Sequence, residues 1–304
     1  MELLKRRNFS AIFNDTFTLL KVSGKHFFKN YFILNGIPLL FFLILVYFFT
    51  TTFYGLGTYR QGDSFKIFTA YIEGNPVLFS VVGILSIIIS FIFAIIQYSF
   101  VPIYLLLYRK NNGTNFTSKE IFDVMFKEKI GKIIIFIFTS ILVFIIIAIP
   151  LVIVMLISIF TIVGIFFVLG FVSLWFNNAL LEYLDSDKGV FECFSYGYRL
   201  ILVRFWDYVG AIGLFMLMTS FISGGISLVT SMITMIFSAN AANASEKSLF
   251  LTLAMVFSFV VSKMVSIFVQ TVVQLAQGIV YFSAKEESEN IVTKSEIDKI
   301  GLGE

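Results

Sequence analysis

The fold of this chain is decided by 49 consecutive residues without a charged side chain, residues 133–181, IIIFIFTSILVFIIIAIPLVIVMLISIFTIVGIFFVLGFVSLWFNNALL. A single helix of this length, at about 1.5 Å per residue, would be about 73 Å long. The hydrocarbon core of a bilayer is about 30 Å thick and takes about 20 residues, so the stretch must fold back and form two spans. Pro150 and Gly164 are candidate break points, because proline removes a helix hydrogen bond, and we predict the turn between residues 148 and 164.

Four further apolar runs bring the number of predicted spans to six. Lys263 is the one charged residue inside them, and the runs cover residues 30–59, 74–108, 208–245 and 248–284. Of the 304 residues, 58% are apolar and 13% charged, with a mean hydropathy of +0.93. Soluble domains have about 45–50% apolar and about 25% charged residues, and disordered chains have low hydrophobicity. The composition excludes both classes and predicts an all-α integral membrane protein.

The basic residues lie almost entirely on one side of the predicted spans. On the side of the two termini there are 18 Lys and Arg, whereas the other side has Arg60, Lys66 and Lys247. Cytoplasmic loops carry the excess of basic residues, so we predict that both termini are cytoplasmic. The net charge is only +3, without a long basic run, which argues against a nucleic-acid partner. The predicted partner is the lipid bilayer, with a membrane protein as a second candidate.

Three segments that precede pairs of spans have apolar residues at helical spacing, namely residues 9–26, 118–129 and 189–203. Such segments form amphipathic helices that lie in the membrane interface, here on the cytoplasmic side. A capping box of Thr117 and Glu120 is predicted to open the second one. The arrangement suggests a threefold internal repeat of interfacial helix and two spans, although Phe, which occurs 39 times, could also recur by chance. The predicted copies are about 9–108, 117–183 and 189–284, in one membrane domain (1–285) with a short cytoplasmic tail (286–304).

Polar residues recur on one face of the last predicted span, at Lys263, Ser266, Gln270, Gln274 and Gln277. Polar groups at membrane depth usually face the bundle interior or a water-filled cavity. One interpretation is therefore a polar path or a head-group site. The other is that the Gln residues form hydrogen bonds between packed helices and that Lys263 extends to the far interface.

Two further groups of residues mark the cytoplasmic ends of the spans. Glu182, Asp185 and Asp187 form an acidic cluster, for which we expect helix capping and pairing with basic residues; a cation site is the alternative. The second group is expected at the interface or facing lipid, where aromatic and basic side chains anchor helices and could hold a lipid phosphate. It comprises Trp175, Arg199, Arg204 and Trp206.

Residues 180–215 resemble a six-span membrane-domain family that occurs beside some glycerophosphodiester phosphodiesterases and also as free-standing proteins. The residues that carry the resemblance are Glu182, Gly189, Ser195, Arg199-Leu200, Arg204-Phe205-Trp206 and Gly210. The resemblance implies six spans with an amphipathic helix before each pair. The catalytic domain of the phosphodiesterases has no counterpart here, because no soluble segment is long enough.

The sequence leaves three classes of function open. The first is a non-catalytic scaffold or accessory subunit in the cell envelope, and the second is a transporter or lipid-handling protein that uses the polar face of the last span. The third, an intramembrane enzyme, needs acidic or histidine groups at membrane depth, and the spans contain none. With one Cys and one His, we expect no metal ligands, no cofactor and no catalytic residues. Composition and resemblance together favour a bacterial inner membrane.

Overall fold

The computed structural model describes residues 1–57, 72–158, 160–161, 163–240 and 244–291. Helix is the regular structure throughout these ranges. A short π-helix, Val124–Glu128, precedes the fourth α-helix. The α-helices are α1 (Phe9–Gly57), α2 (Pro76–Lys110), α3 (Ser118–Asp123), α4 (Ile130–Ser158), α5 (Gly164–Asp185), α6 (Val190–Val203), α7 (Phe205–Asn240) and α8 (Ala244–Glu289).

Six of the described helices are long and apolar enough to cross a membrane, which confirms the predicted number of spans. Many of their apolar side chains face outward, and this exposure would be unfavourable in water. Ile146 and Ile149 of α4, for example, are 73% and 75% exposed. The spans are Phe9–Leu45, Pro76–Lys110, Ile130–Ser158, Gly164–Asp185, Phe205–Ile236 and Val256–Glu289.

The long apolar run folds back where the sequence predicts it. The α4 helix ends at Ser158 and α5 begins at Gly164, within the predicted interval of residues 148–164. Gly164 is thus at the break, whereas Pro150 lies inside α4. A proline within a membrane helix is tolerated because neighbouring groups satisfy the carbonyl that it leaves free.

The three segments predicted as separate amphipathic helices differ in structure. Residues 9–26 are the first turns of α1 and continue into the first span without a break. The second segment forms α3 and the π-helix, and its predicted capping box is confirmed. The Thr117 hydroxyl accepts a hydrogen bond from the Glu120 amide, and the Glu120 carboxylate accepts one from the Thr117 amide at 2.6 Å. The third segment is α6, which ends where Arg204 leaves helical geometry.

The chain divides into two compact units. The first comprises Met1–Leu34, Gln97–Thr219 and Val269–Glu304, and the second comprises Asn35–Ile96 and Ser220–Phe268. The predicted tail lies outside the described residues from position 292 onward, while its first residues continue α8. The threefold repeat stays a prediction.

Close backbone contacts hold α5 against α6 and α7 in the first unit. A Cβ atom added to Gly197 would lie 2.9 Å from the Ala179 nitrogen, and one added to Gly170 would lie 3.0 Å from the Gly213 nitrogen. Small residues let membrane helices approach in this way. Helix α6 therefore packs along the C-terminal half of α5, and α7 packs along the N-terminal half.

Candidate functional site

A cluster of charged side chains lies at the C-terminal end of α5, in the first unit. Its centre is Glu182, whose side chain is 1% exposed. One carboxylate oxygen accepts hydrogen bonds from the Tyr281 hydroxyl at 2.7 Å and from the Lys285 ammonium at 2.9 Å, and the other accepts one from Lys188 at 2.6 Å. Burying a carboxylate is costly unless donors replace its water, and these three donors do so.

Asp185 connects the cluster to Arg109, at the end of α2. Two nitrogens of the Arg109 guanidinium donate to its two carboxylate oxygens, one of them at 2.9 Å, which is the strong bidentate geometry of Arg with a carboxylate. The Lys285 Nζ lies 3.2 Å from Asp185 and so bridges both carboxylates. We call this group, which joins the ends of α2, α5 and α8, the Glu182 cluster: Arg109, Glu182, Asp185, Lys188, Tyr281 and Lys285.

Asp187, the third acidic residue predicted in this region, lies outside the cluster. Its side chain is fully exposed, at 3.5 Å from the Lys132 ammonium. The same Nζ donates to the Ser186 carbonyl oxygen at 2.7 Å and to that of Tyr183 at 3.3 Å. A cation at this position satisfies carbonyl groups that the end of α5 leaves free.

Helix α6 begins beside the cluster and shares its interactions. The Lys188 Nζ lies 4.0 Å from the centroid of the Tyr196 ring, and the Tyr196 hydroxyl donates to the Glu289 carboxylate. Burial lowers the pKa of Lys188, but the hydrogen bond and charge of Glu182 outweigh it, so the pKa is raised above its ordinary value. Burial, and then the bond to Glu289, raises the pKa of Tyr196. At neutral pH Lys188 is therefore charged and Tyr196 protonated.

A second buried charge, Arg7, anchors the N-terminal segment. Its side chain is fully buried and its Nε lies 2.7 Å from Asp15. The guanidinium also donates to the carbonyl oxygens of three preceding residues, at 2.7–2.9 Å. The backbone amide of Arg7 donates to Ser283 of α8, and its carbonyl accepts from Arg204. The chain start is thus joined to α8 and to the junction between α6 and α7.

The Gln residues of the predicted polar face are in two different environments. Gln277 is 2% exposed and donates to the Ser173 hydroxyl of α5 at 2.6 Å. Gln274, which is also buried, lies 3.4 Å from the Gln97 carbonyl oxygen of α2. Gln270, by contrast, is exposed. Two of the three thus hydrogen-bond to neighbouring helices.

The other two residues of the predicted face, Lys263 and Ser266, are half-buried and belong to the second unit. The Lys263 ammonium lies 5.3 Å from the centroid of the Phe42 ring, which is a cation–π contact. Phe42 in turn stacks on Phe93, with 6.0 Å between centroids. Lys263 is thus packed against an aromatic group.

The residues predicted at the membrane interface also lie in different environments. Trp175 lies midway along α5, and its Nε1 donates to the Phe194 carbonyl oxygen of α6 at 2.7 Å. Trp206, at the start of α7, is 77% exposed. Arg204 is partly exposed, with its Nε 3.8 Å from Asp207. Arg199 is exposed on α6 and has no salt-bridge partner among the described residues.

An apolar groove of about 480 Å³ lies within the first unit, between α4, α5, α6 and α7. Both tryptophans line it, as do Val154 of α4 and Tyr198 of α6. Val154 is 46% exposed and Trp206 77%, so the groove is open to the outside. Nothing in the sequence patterns predicts this groove, because its walls come from four separate helices.

Sequence reasoning also missed the roles of Arg7, Arg109 and Lys285, which it treated only as charges that set orientation. The available signal was their position, since Arg109 and Lys285 end spans on the same predicted side as Glu182. In the described ranges, no group of three His, Cys, Asp or Glu side chains is placed to hold a metal ion.

Six apolar helices of spanning length define a multi-pass helical membrane protein. The chain matches no family model, no curated protein and no solved structure. The resemblance to the membrane domains beside glycerophosphodiester phosphodiesterases therefore stays a prediction.

Proposed function

We propose that this protein is a non-catalytic scaffold or accessory subunit of the cell envelope, in the bacterial inner membrane, with both termini in the cytoplasm. The resemblance of residues 180–215 to membrane domains that accompany an enzyme supports this proposal. So does the distribution of charge, because the side of the termini carries 18 of the 22 Lys and Arg residues.

The observation that carries the proposal is that the buried charged groups of the Glu182 cluster, and the buried Gln277 of α8, bind other side chains of the first unit. Glu182 is saturated by Lys188, Lys285 and Tyr281. Gln277 is bound to Ser173. Polar groups that form a transport path must instead face a water-filled cavity. Groups already occupied by protein donors and acceptors hold helices together, which is what a scaffold requires.

The alternative is a transporter or lipid-handling protein that uses the polar face of α8. It requires Gln274 and Gln277 to release their present partners when a substrate passes. The Gln274→Leu substitution distinguishes the two proposed functions, because it removes the polar amide while the volume of the side chain stays nearly the same. Gln270→Leu is the matched control, since Gln270 lies one turn away on the same helix and is exposed.

The experiment begins with purification from native membranes in mild detergent and mass spectrometry of the co-purifying proteins. We expect one membrane protein in stoichiometric amount, whose complex is lost when this chain is deleted and kept in the Gln274→Leu variant. A chain without a partner whose deletion phenotype is reproduced by Gln274→Leu, and not by Gln270→Leu, would overturn the scaffold function in favour of the alternative.

We further propose that the cytoplasmic end of the bundle is bordered by the first turns of α1, by α3 with the π-helix, and by α6. The amphipathic pattern of these segments supports this placement. Cysteine accessibility on the two sides of right-side-out vesicles tests the orientation: Ser195→Cys, on the exposed face of α6, is expected to react only with reagents that cross the membrane. Reaction with an impermeant reagent from outside contradicts it.

A further inference from the structure

We propose that the groove between α4, α5, α6 and α7 binds an acyl chain of an anionic phospholipid, with the head group at Arg199 and Arg204. The inference goes beyond the scaffold function and does not depend on it. It rests on the position of the groove, the side chains that line it and the charges next to its aromatic end.

The position of the groove indicates an apolar ligand. Three of its four walls, α4, α5 and α7, are spanning helices. Within a bilayer such a surface meets acyl chains and not water, and an apolar cavity does not hold water in any case. Its volume of about 480 Å³ lies in the range of about 300–1,000 Å³ that is usual for small-molecule sites.

The lining distinguishes a lipid from a partner helix. Helices that pack in membranes meet through small residues such as Gly, Ala, Ser and Thr. None of the described residues that line the groove is of these types; they are large apolar or aromatic side chains such as Leu151, Phe171, Trp175 and Phe205. An irregular wall of this kind suits a flexible acyl chain better than a rigid helix.

The charges at the α6–α7 junction favour an anionic head group. Arg199 and Arg204 are the sequence neighbours of Tyr198 and Phe205, which line the groove. Arg199 is exposed and without a salt-bridge partner in the described part of the chain. Arg204 donates one hydrogen bond to the Arg7 carbonyl oxygen at 3.2 Å, and its Nε lies 3.8 Å from Asp207, so its positive charge is only weakly compensated. Basic side chains near a bilayer surface attract anionic lipids.

Tryptophan fluorescence provides a direct test, because the chain has two tryptophans and both line the groove. In a Trp206→Phe variant the half-buried Trp175 is the sole reporter. This variant is reconstituted in phosphatidylcholine vesicles with increasing fractions of lipid that carries bromine on its acyl chains. We expect half-maximal quenching of Trp175 at an about tenfold lower fraction of brominated phosphatidylglycerol than of brominated phosphatidylcholine.

Two pairs of variants locate the lipid. Val154→Phe places a larger side chain in the groove and narrows it, so it is expected to reduce the quenching. Val152→Phe, two residues away on α4 and 55% exposed outside the groove, is expected to leave it unchanged. Arg199→Gln alters an exposed side chain and is expected to raise the half-maximal fraction of phosphatidylglycerol about fivefold, while Arg199→Lys keeps it.

Three results would overturn the proposal. Equal quenching by the two lipids shows that bulk lipid fills the groove without head-group selection. Equal quenching in Val154→Phe and Val152→Phe shows that Trp175 reports the surrounding lipid and not a bound chain. Absence of quenching, together with a protein that protects Trp175, shows that a partner helix occupies the groove.

Discussion

Lys285 and Glu182 form a buried ion pair, with 2.9 Å between Nζ and Oε2, although 103 positions separate them along the chain. The pair joins the end of α8 to the end of α5. Because Lys285 also contacts Asp185, and Asp185 binds Arg109 of α2, the Glu182 cluster connects three helices that the chain visits far apart. Its members stabilise the bundle only as a complete set, since a buried charge without its partner is costly.

Removal of a carboxylate from the cluster is expected to destabilise the protein strongly. Glu182→Gln leaves Lys285 and Lys188 without their principal counter-charge, and we expect a loss of about 3–5 kcal/mol in the free energy of unfolding. Unfolding by sodium dodecyl sulfate in mixed micelles measures it. Asp187→Asn is the control, because the Asp187 side chain is fully exposed and its loss is expected to leave the transition unchanged. Equal shifts in the two variants contradict a structural role of the cluster.

Arg7 is expected to be irreplaceable even by lysine. Its guanidinium bonds to Asp15 and to three backbone carbonyl groups in different directions, which a single ammonium cannot reproduce. Arg7→Lys leaves buried acceptors unpaired, and we expect a loss of about 2–4 kcal/mol. Arg6→Lys, at a side chain that is 51% exposed, is expected to cost less than about 1 kcal/mol. Unfolding by sodium dodecyl sulfate measures both losses. Equal losses in Arg7→Lys and Arg6→Lys would disprove the anchoring role of Arg7.

Any side chain at position 197, in place of Gly197, is expected to destabilise the protein. A Cβ atom there would lie 2.9 Å from the Ala179 nitrogen and 3.2 Å from the Trp175 carbonyl oxygen, so Gly197→Ala must push α6 away from α5. We expect a loss of about 1–3 kcal/mol, visible as a lower unfolding temperature. Gly224→Ala has open space around it and is expected to be neutral or stabilising, because alanine is the better helix former. A stabilising Gly197→Ala is the contrary result.

Cys193, the sole cysteine, is expected to react slowly with alkylating reagents. Burial, and then the charge of Glu182, raises the pKa of its thiol, and only the thiolate is nucleophilic. The reaction rate should therefore rise with pH and reach its half-maximum above the pH found for an exposed cysteine. Ser195→Cys in a Cys193→Ala background supplies that reference on the same helix.

The sign of the associated pH effect on stability follows from the same shift. The fold favours the protonated thiol, so its contribution to the free energy of unfolding is complete below about pH 8.5, the ordinary pKa of cysteine, and declines above it. A Cys193→Ser variant is expected to lose this decline. Equal midpoints for the alkylation of Cys193 and of the Ser195→Cys thiol would contradict the raised pKa.

Several features of the fold and site were predictable from local sequence. The capping box of Thr117 and Glu120 depends on residues three positions apart, so its prediction needed no tertiary information. The break before Gly164 followed from the length limit on a span. The separate helix over residues 9–26 was not found, because amphipathic periodicity identifies a helical face but does not specify whether the helix stops before the next span.

The sequence by itself determined that this is a six-span helical membrane protein, because hydropathy and span length are properties of contiguous residues. Only the tertiary structure decided which charges meet. The partners of Glu182 include Lys285, 103 positions away, and the groove walls come from four helices. Both are set by how helices pack side by side, and Gly197 lets α6 approach the backbone of α5 closely. Local sequence patterns do not predict that packing geometry. The Glu182 cluster and the groove are therefore visible only in the tertiary structure.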